Sequence, residues 1–177
     1  MDAQSTKAAP LRSTGKLQLF TPSEQEIVMV RSFNAPRRLV FKALTTPDLV
    51  QQWLLGTPGW TMPICEIDLR VGGKYRFVWR GPKGEEMGVR GAYREITPPE
   101  RIVGTEAFEP AWYPGEMVFM QSLDEQGGQT TLTMALQYAS RDARDMALKA
   151  PMDRGVEQSY ERMEQLLLGL EDSGGRS

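Results

Sequence analysis

The order of elements along this chain predicts an α+β fold, a curved antiparallel β-sheet gripping one long C-terminal α-helix, with two short helices after the first strand. Three observations carry that prediction. Apolar side chains at Met152, Val156, Tyr160, Met163, Leu167 and Leu170 recur in steps of four and three, which places them on one face of a helix. Several stretches between residues 64 and 138 show the two-residue alternation of half-buried antiparallel strands. Helical periodicity before that region is confined to the stretch between Pro36 and Leu54.

In chain order, residues 1–22 are polar and mixed and are expected to form a flexible tail, of which only Leu17, Leu19 and Phe20 could dock. Residues 23–172 are expected to form a single domain, and 173–177 a frayed C-terminus. Glu26 to Phe33 is rich in Ile and Val and reads as the first strand. Asn34-Ala35-Pro36 breaks it, with Asn34 able to cap and Pro36 suited to a first helical turn. Leu39, Val40, Ala43 and Leu44 give the period of one helix, and Leu49, Val50, Trp53 and Leu54 that of a second starting at Thr46-Pro47.

Gly56 to Pro63 is a loop carrying Trp60, and Ile64 to Val71 reads as a strand ending at Gly72-Gly73. Lys74 to Arg80 alternates strictly, so Tyr75, Phe77 and Trp79 share one face. Met87 to Ile96 follows across a hairpin, with Val89 and Tyr93 on its inner side. Arg101 to Phe108 is the next strand, after the turn Thr97-Pro98-Pro99-Glu100. A Pro- and aromatic-rich loop around Trp112 precedes the last hairpin, Met117 to Leu123 and Thr130 to Tyr138. Arg141 to Lys149 reads as a short helix before the long one. At ~1.5 Å per residue the latter spans roughly 28 Å, enough to cross a small domain. Its opposite face, Asp153, Glu157, Gln158, Glu161, Glu164 and Gln165, is expected to meet water.

The composition narrows function mainly by exclusion. A formal charge of −2 and the lack of a long basic run argue against nucleic acid as a partner. No stretch approaches the ~20 apolar residues of a membrane span. The N-terminal residues lack the apolar run of a secretory signal, so the cytoplasm is the expected compartment. Cys65 is the only cysteine, which excludes an internal disulfide. There is no histidine, which removes Ser-His-Asp and Cys-His nucleophiles and histidine-based zinc sites. Neither a metal nor a cofactor is expected.

Arg31-Ser32-Phe33-Asn34-Ala35-Pro36, Thr46-Pro47-Asp48 through Gln52-Trp53, Cys65 to Arg70 running into Gly72-Gly73-Lys74-Tyr75-Arg76-Phe77, and Gly91 to Ile102 form a recognisable series of motifs. With the terminal helix, these resemble the helix-grip superfamily of START domains, pathogenesis-related plant allergens and polyketide cyclases. Within it they are most similar to the branch related to the C-terminal domain of the heat-shock-protein-90 ATPase activator. The resemblance covers about residues 24–171. One departure is Trp53-Leu54, where a Trp-Trp pair is common. The shared motifs serve turns, core and sheet, and no catalytic set carries over.

The resemblance implies a cavity between the curled sheet and the long helix. On that expectation it is lined by Tyr75, Phe77, Trp79, Val89, Tyr93, Phe108, Met117, Phe119, Leu132 and Met134 from the sheet, and by Val156, Tyr160 and Met163 from the helix. Trp53 belongs to the same pocket edge, and Trp60 and Trp112 stand on loops where they could close it as a lid, plug the barrel end, or meet a second subunit of a homodimer. Gly155 and Ser159 leave the helix slim beside its apolar face, either for close packing or for room around a ligand. Glu106 shares parity with Ile102, Gly104 and Phe108, so it either projects inward, sits exposed at an edge, or pairs with Arg90 or Arg94.

Aromatic and Met walls suit a hydrophobic small molecule or lipid, although the same residues would also fill an ordinary core. Binding such a ligand is the first expectation, and a co-chaperone-like protein-interaction role is the alternative. An enzyme of cyclase or hydrolase type ranks third, because no acid–base pair is recognisable.

Overall fold

The computed structural model describes residues 8–174. In chain order these form β1 (Arg12–Thr14), β2 (Leu17–Phe20), β3 (Glu26–Phe33), α1 (Arg37–Thr45), α2 (Pro47–Trp53), β4 (Thr61–Ile67), β5 (Lys74–Arg80), β6 (Glu86–Thr97), β7 (Arg101–Glu109), β8 (Met117–Gln126), β9 (Gln129–Gln137), α3 (Arg141–Lys149) and α4 (Met152–Gly174). The strands make one antiparallel sheet in the order β1-β2-β3-β9-β8-β7-β6-β5-β4. Sequence order breaks once, where β9 returns to pair with β3 from Glu26↔Gln137 to Phe33↔Thr130. The expected α+β architecture is therefore present.

Two glycines in β6 and β7 let neighbouring groups come close. A Cβ on Gly91 would overlap the Thr105 carbonyl and lie 2.7 Å from the Tyr75 ring, which crosses that position. A Cβ on Gly104 would lie 2.7 Å from the Phe119 ring. The β6–β7 register also shifts between Tyr93 and Glu95, a bulge that adds twist. The curl makes the inner face concave.

α4 crosses that concave face but does not lie flat on it. Its near backbone neighbours are α1, α2 and the β1–β2 hairpin rather than the central strands. Met163 and Leu167 fill the space under its C-terminal half and are fully buried with Phe33, Leu132 and Tyr160. Under its N-terminal half a gap remains, roofed by Met152, Val156, Ser159 and Tyr160.

The structure departs from the sequence expectation in four places. Residues 12–20, read as tail, add two strands to the sheet edge, with Leu17 and Leu19 buried. Residues 1–7 of the expected tail and 175–177 of the expected frayed end lie outside the described residues. The strand expected at 64–71 runs instead from Thr61 to Ile67, because Asp68 to Gly73 closes as a turn through Arg70 N–H to Asp68 O and Gly73 N–H to Arg70 O. Pro63 is tolerated because β4 is an edge strand with a register shift between Thr61 and Ile64. Asn34 caps nothing, and its side chain accepts from Gln129 while Pro36 occupies the N-cap of α1.

The outer face of α4 is the fourth departure. Asp153 and Glu157, expected in water, are buried. The β1–β2 hairpin lies over them, with Arg12 and Thr14 donating to Asp153 at 3.2 and 2.6 Å and Lys16 N–H donating to Glu157 at 3.0 Å. From β3, the buried Arg31 donates to Glu157 at 3.2 Å and to Glu164 at 3.1 Å. It also stacks over the Phe33 ring at 4.9 Å. Burial raises the Asp153 and Glu164 carboxyls, but the hydrogen bonds and cations around them outweigh it and hold both below the usual carboxylate range. The helix is thus clamped from outside by charge and from inside by apolar packing.

Candidate functional site

The gap beneath the N-terminal half of α4 is a cavity of about 710 Å³. Its sheet wall is Met29, Trp79, Val89, Phe108, Gln121, Met134 and Leu136, with Glu106 set among them. Trp53 and Leu54 close one side, and Met152, Val156, Ser159 and Tyr160 of α4 form the roof. Pro110 and Trp112 come from the β7–β8 loop, and Ala150 and Pro151 from the α3–α4 junction. Two other hollows, one beside Lys16 and Glu164 and one around Arg76, Arg90 and Glu109, are lined by paired surface charges. The sheet–helix cavity is the apolar one.

The three tryptophans of the wall are each held by their neighbours. Trp79 donates its indole N–H to Leu54 O at 2.6 Å, which joins β5 to the end of α2. Trp53 donates to Ala43 O at 2.9 Å and stacks on Tyr160 at 5.9 Å. Trp112 packs edge-on against Phe108 at 5.2 Å and Tyr113 at 4.8 Å. These contacts fix the ring orientations, so the walls are preformed.

A groove of about 310 Å³ opens beside the cavity and shares Leu54, Trp79, Met87, Met152, Val156 and Ser159 with it. Trp60 and Gly155 line this groove rather than the cavity. The nearest atom to a Cβ built on Gly155 is Gly56 Cα at 3.9 Å, which leaves room rather than tight packing. Gly56 ties the loop to α4. Its N–H donates to Ser159 Oγ at 2.8 Å, and its carbonyl accepts from Arg162 at 2.7 Å. Gly56 has a φ of +65°, a conformation glycine adopts without strain.

The sequence expectations divide along the helix. Trp53, Trp79, Val89, Glu106, Phe108, Trp112, Met134, Val156, Ser159 and Tyr160 all line the cavity. Met117, Leu132 and Met163 do not, being packed into solid core. Tyr75, Phe77, Tyr93 and Phe119 surround only a small void of about 70 Å³ below Trp53 and Leu54. They were expected on the wall because strand parity gives the face of the sheet but not how far α1 and α2 cover it. Conversely Met29, Gln121 and Leu136 share inward parity yet were missed, as were Pro110, Pro151 and Met152 on connecting segments. Leu54, which departs from the common Trp-Trp pair, also lines the wall.

Glu106 projects inward, and no described Arg or Lys pairs with it, since Arg90 pairs with Glu109 instead. Its side chain is partly buried and lines the cavity. Burial pushes its carboxyl up to about 7, with the Tyr75 hydroxyl pulling weakly the other way. That hydroxyl lies 2.7 Å from Thr105 O and 3.4 Å from Glu106 Oε2, so its single proton serves the nearer carbonyl. Tyr113 and Tyr138, in edge contact at 5.3 Å, also sense the carboxylate and have their phenols pushed up by burial.

Among the described residues no helix is long and apolar enough to cross a membrane, and no group of three or more His, Cys, Asp or Glu converges on a metal position. Solved structures with the same fold include a Rhodobacter sphaeroides protein at 31% identity and a TM-score of 0.81, covering 86% of this chain and 99% of that one. A Nitrosomonas europaea protein matches at 23% identity and a TM-score of 0.74, again over 86% and 99%. The AHSA1 protein of Silicibacter pomeroyi matches at 20% identity and a TM-score of 0.65, over 82% and 99%. A search of curated proteins returns no match. The family model described as Activator of Hsp90 ATPase homolog 1-like protein matches residues 34–168, most of the helix-grip domain, and the chain belongs to that family.

Proposed function

We propose that this protein binds a hydrophobic small molecule or lipid in the cavity between the sheet and α4. The observation that supports it is the cavity itself: about 710 Å³ of preformed, mainly aromatic and aliphatic wall with one carboxylate inside. That size falls within the range of small-molecule pockets, and few polar groups on an apolar wall is their usual design. Met29, Met87, Met134 and Met152 add side chains that adjust to a ligand's outline.

The family description supports an alternative reading, a protein-interaction module of the co-chaperone kind. That role calls for a contiguous exposed apolar patch. Here the exposed large apolar residues are Leu11, Met87, Met146 and Leu168, each on a different segment, with Leu69 and Val71 together on the β4–β5 turn and Met87 at the cavity itself, a scatter that favours the cavity.

A thermal-shift panel of apolar compounds of graded size tests the first reading. A ligand at a hundred times its Kd adds about 2.7 kcal/mol to stability, several degrees in a domain of this size. Met134→Trp, which fills the cavity from its wall, should abolish the shift while keeping the fold. A panel in which no compound raises the melting temperature removes the ligand-binding reading.

A further inference from the structure

We infer that the ligand is an apolar molecule carrying one hydrogen-bond donor, a hydroxyl or better an amine, which Glu106 accepts, and that carboxylate-bearing lipids are excluded. This rests on the ligand-binding reading and deepens it.

Among the described residues that line the cavity there is no Arg or Lys. Its acidic side chains are Glu106, set in the wall, and Glu86 at the rim, which is exposed and faces Arg80 at 3.6 Å. A bound carboxylate would be buried without a countercharge and beside Glu106, a costly arrangement. The Gln121 amide is the other polar group of the sheet wall and can donate or accept, but it supplies no charge.

Among the described residues Glu106 accepts only one long hydrogen bond, from the Tyr75 hydroxyl. The Tyr75 proton is committed to Thr105 O, and the contact from Tyr75 to Glu106 is long at 3.4 Å. An acceptor facing an apolar void without a full hydrogen bond is a group a ligand donor would satisfy. The groups around it are Tyr75 from β5, Tyr113 from the β7–β8 loop, Tyr138 after β9 and Glu86 at the rim. The α4 roof adds Met152, Val156, Ser159 and Tyr160, none of them charged. All four phenols are raised well above neutrality by burial, so Glu106 is the group of the wall that changes charge near pH 7.

The test uses the full chain and four matched fluorescent probes: pyrene, 1-hydroxypyrene, 1-pyrenemethylamine and 1-pyrenecarboxylate. The amine and the hydroxyl should bind roughly tenfold to a hundredfold tighter than pyrene, as a hydrogen bond to a charged acceptor implies. The carboxylate should bind more weakly than pyrene. In Glu106→Gln the preference for the amine should collapse while pyrene still binds. In the wild type, amine affinity should rise between pH 5.5 and 8.5 and pyrene affinity should stay level, a readout that needs no variant.

Equal affinities for pyrene, hydroxypyrene and the amine would overturn the inference while leaving the cavity reading intact. So would tightest binding of the carboxylate, a preference that survives Glu106→Gln, or an amine affinity flat with pH. If no probe binds, pyrene included, the cavity reading itself fails and the inference with it.

Discussion

The Arg31 guanidinium and the Glu157 carboxylate lie 3.2 Å apart with both side chains almost wholly removed from water. Removing one member of such a pair leaves a buried charge uncompensated. Arg31→Ala should therefore destabilise the domain by roughly 3–5 kcal/mol. Arg31→Met combined with Glu157→Gln should recover much of that loss. Urea denaturation of the three chains checks it, and equal midpoints for Arg31→Ala and wild type would show the clamp to be idle.

The same clamp sets the acid limit. Asp153 and Glu164 titrate below the usual carboxylate range in the folded state. Their contribution is complete above the unfolded carboxylate values of about 4 and is lost as pH falls through the lower folded values. Melting temperature should drop steeply on the acid side, and the drop should be shallower in Glu164→Gln. Melts taken across pH 2.5 to 7 give the comparison.

Glu106 has the opposite sign. With its carboxyl pushed up to about 7, folding binds a proton that the unfolded chain has released, so stability falls as pH rises from the ordinary 4.5 toward 7 and then levels. Glu106→Gln should match wild type at pH 4 and exceed it at pH 8 by up to roughly 3 kcal/mol, the worth of that displacement. Denaturation at the two pH values decides it. A variant no more stable at pH 8 would mean the carboxylate is solvated.

Two glycines should respond in opposite ways. Gly91→Ala would drive a Cβ into Thr105 O and the Tyr75 ring, and should cost more than about 4 kcal/mol or abolish folding. Gly155→Ala meets nothing nearer than 3.9 Å and should gain up to ~1 kcal/mol of helix propensity. Soluble yield and melting temperature report both.

Periodicity made the helices and most strands legible, since each buries one face and the face repeats at a fixed spacing. Glu106 was legible as a candidate for the same reason, its parity with Ile102 and Phe108. The β1–β2 strands were not, because what holds them includes Asp153 and Glu157, more than 130 residues away in the chain. A charged row on a helix looks solvated until the segment that covers it is known. The boundary between cavity and filled core was illegible too. Met163 and Val156 share the apolar side of α4, but only the structure shows the gap under Val156 and the packed core around Met163.

Native mass spectrometry of the purified full chain, compared with its denatured mass, reads directly whether the cavity holds a ligand. The account predicts a non-covalent adduct in the native spectrum, copurified or formed one-to-one on adding pyrene, and absent from Met134→Trp. A native mass equal to the denatured mass, unchanged by pyrene, would contradict it.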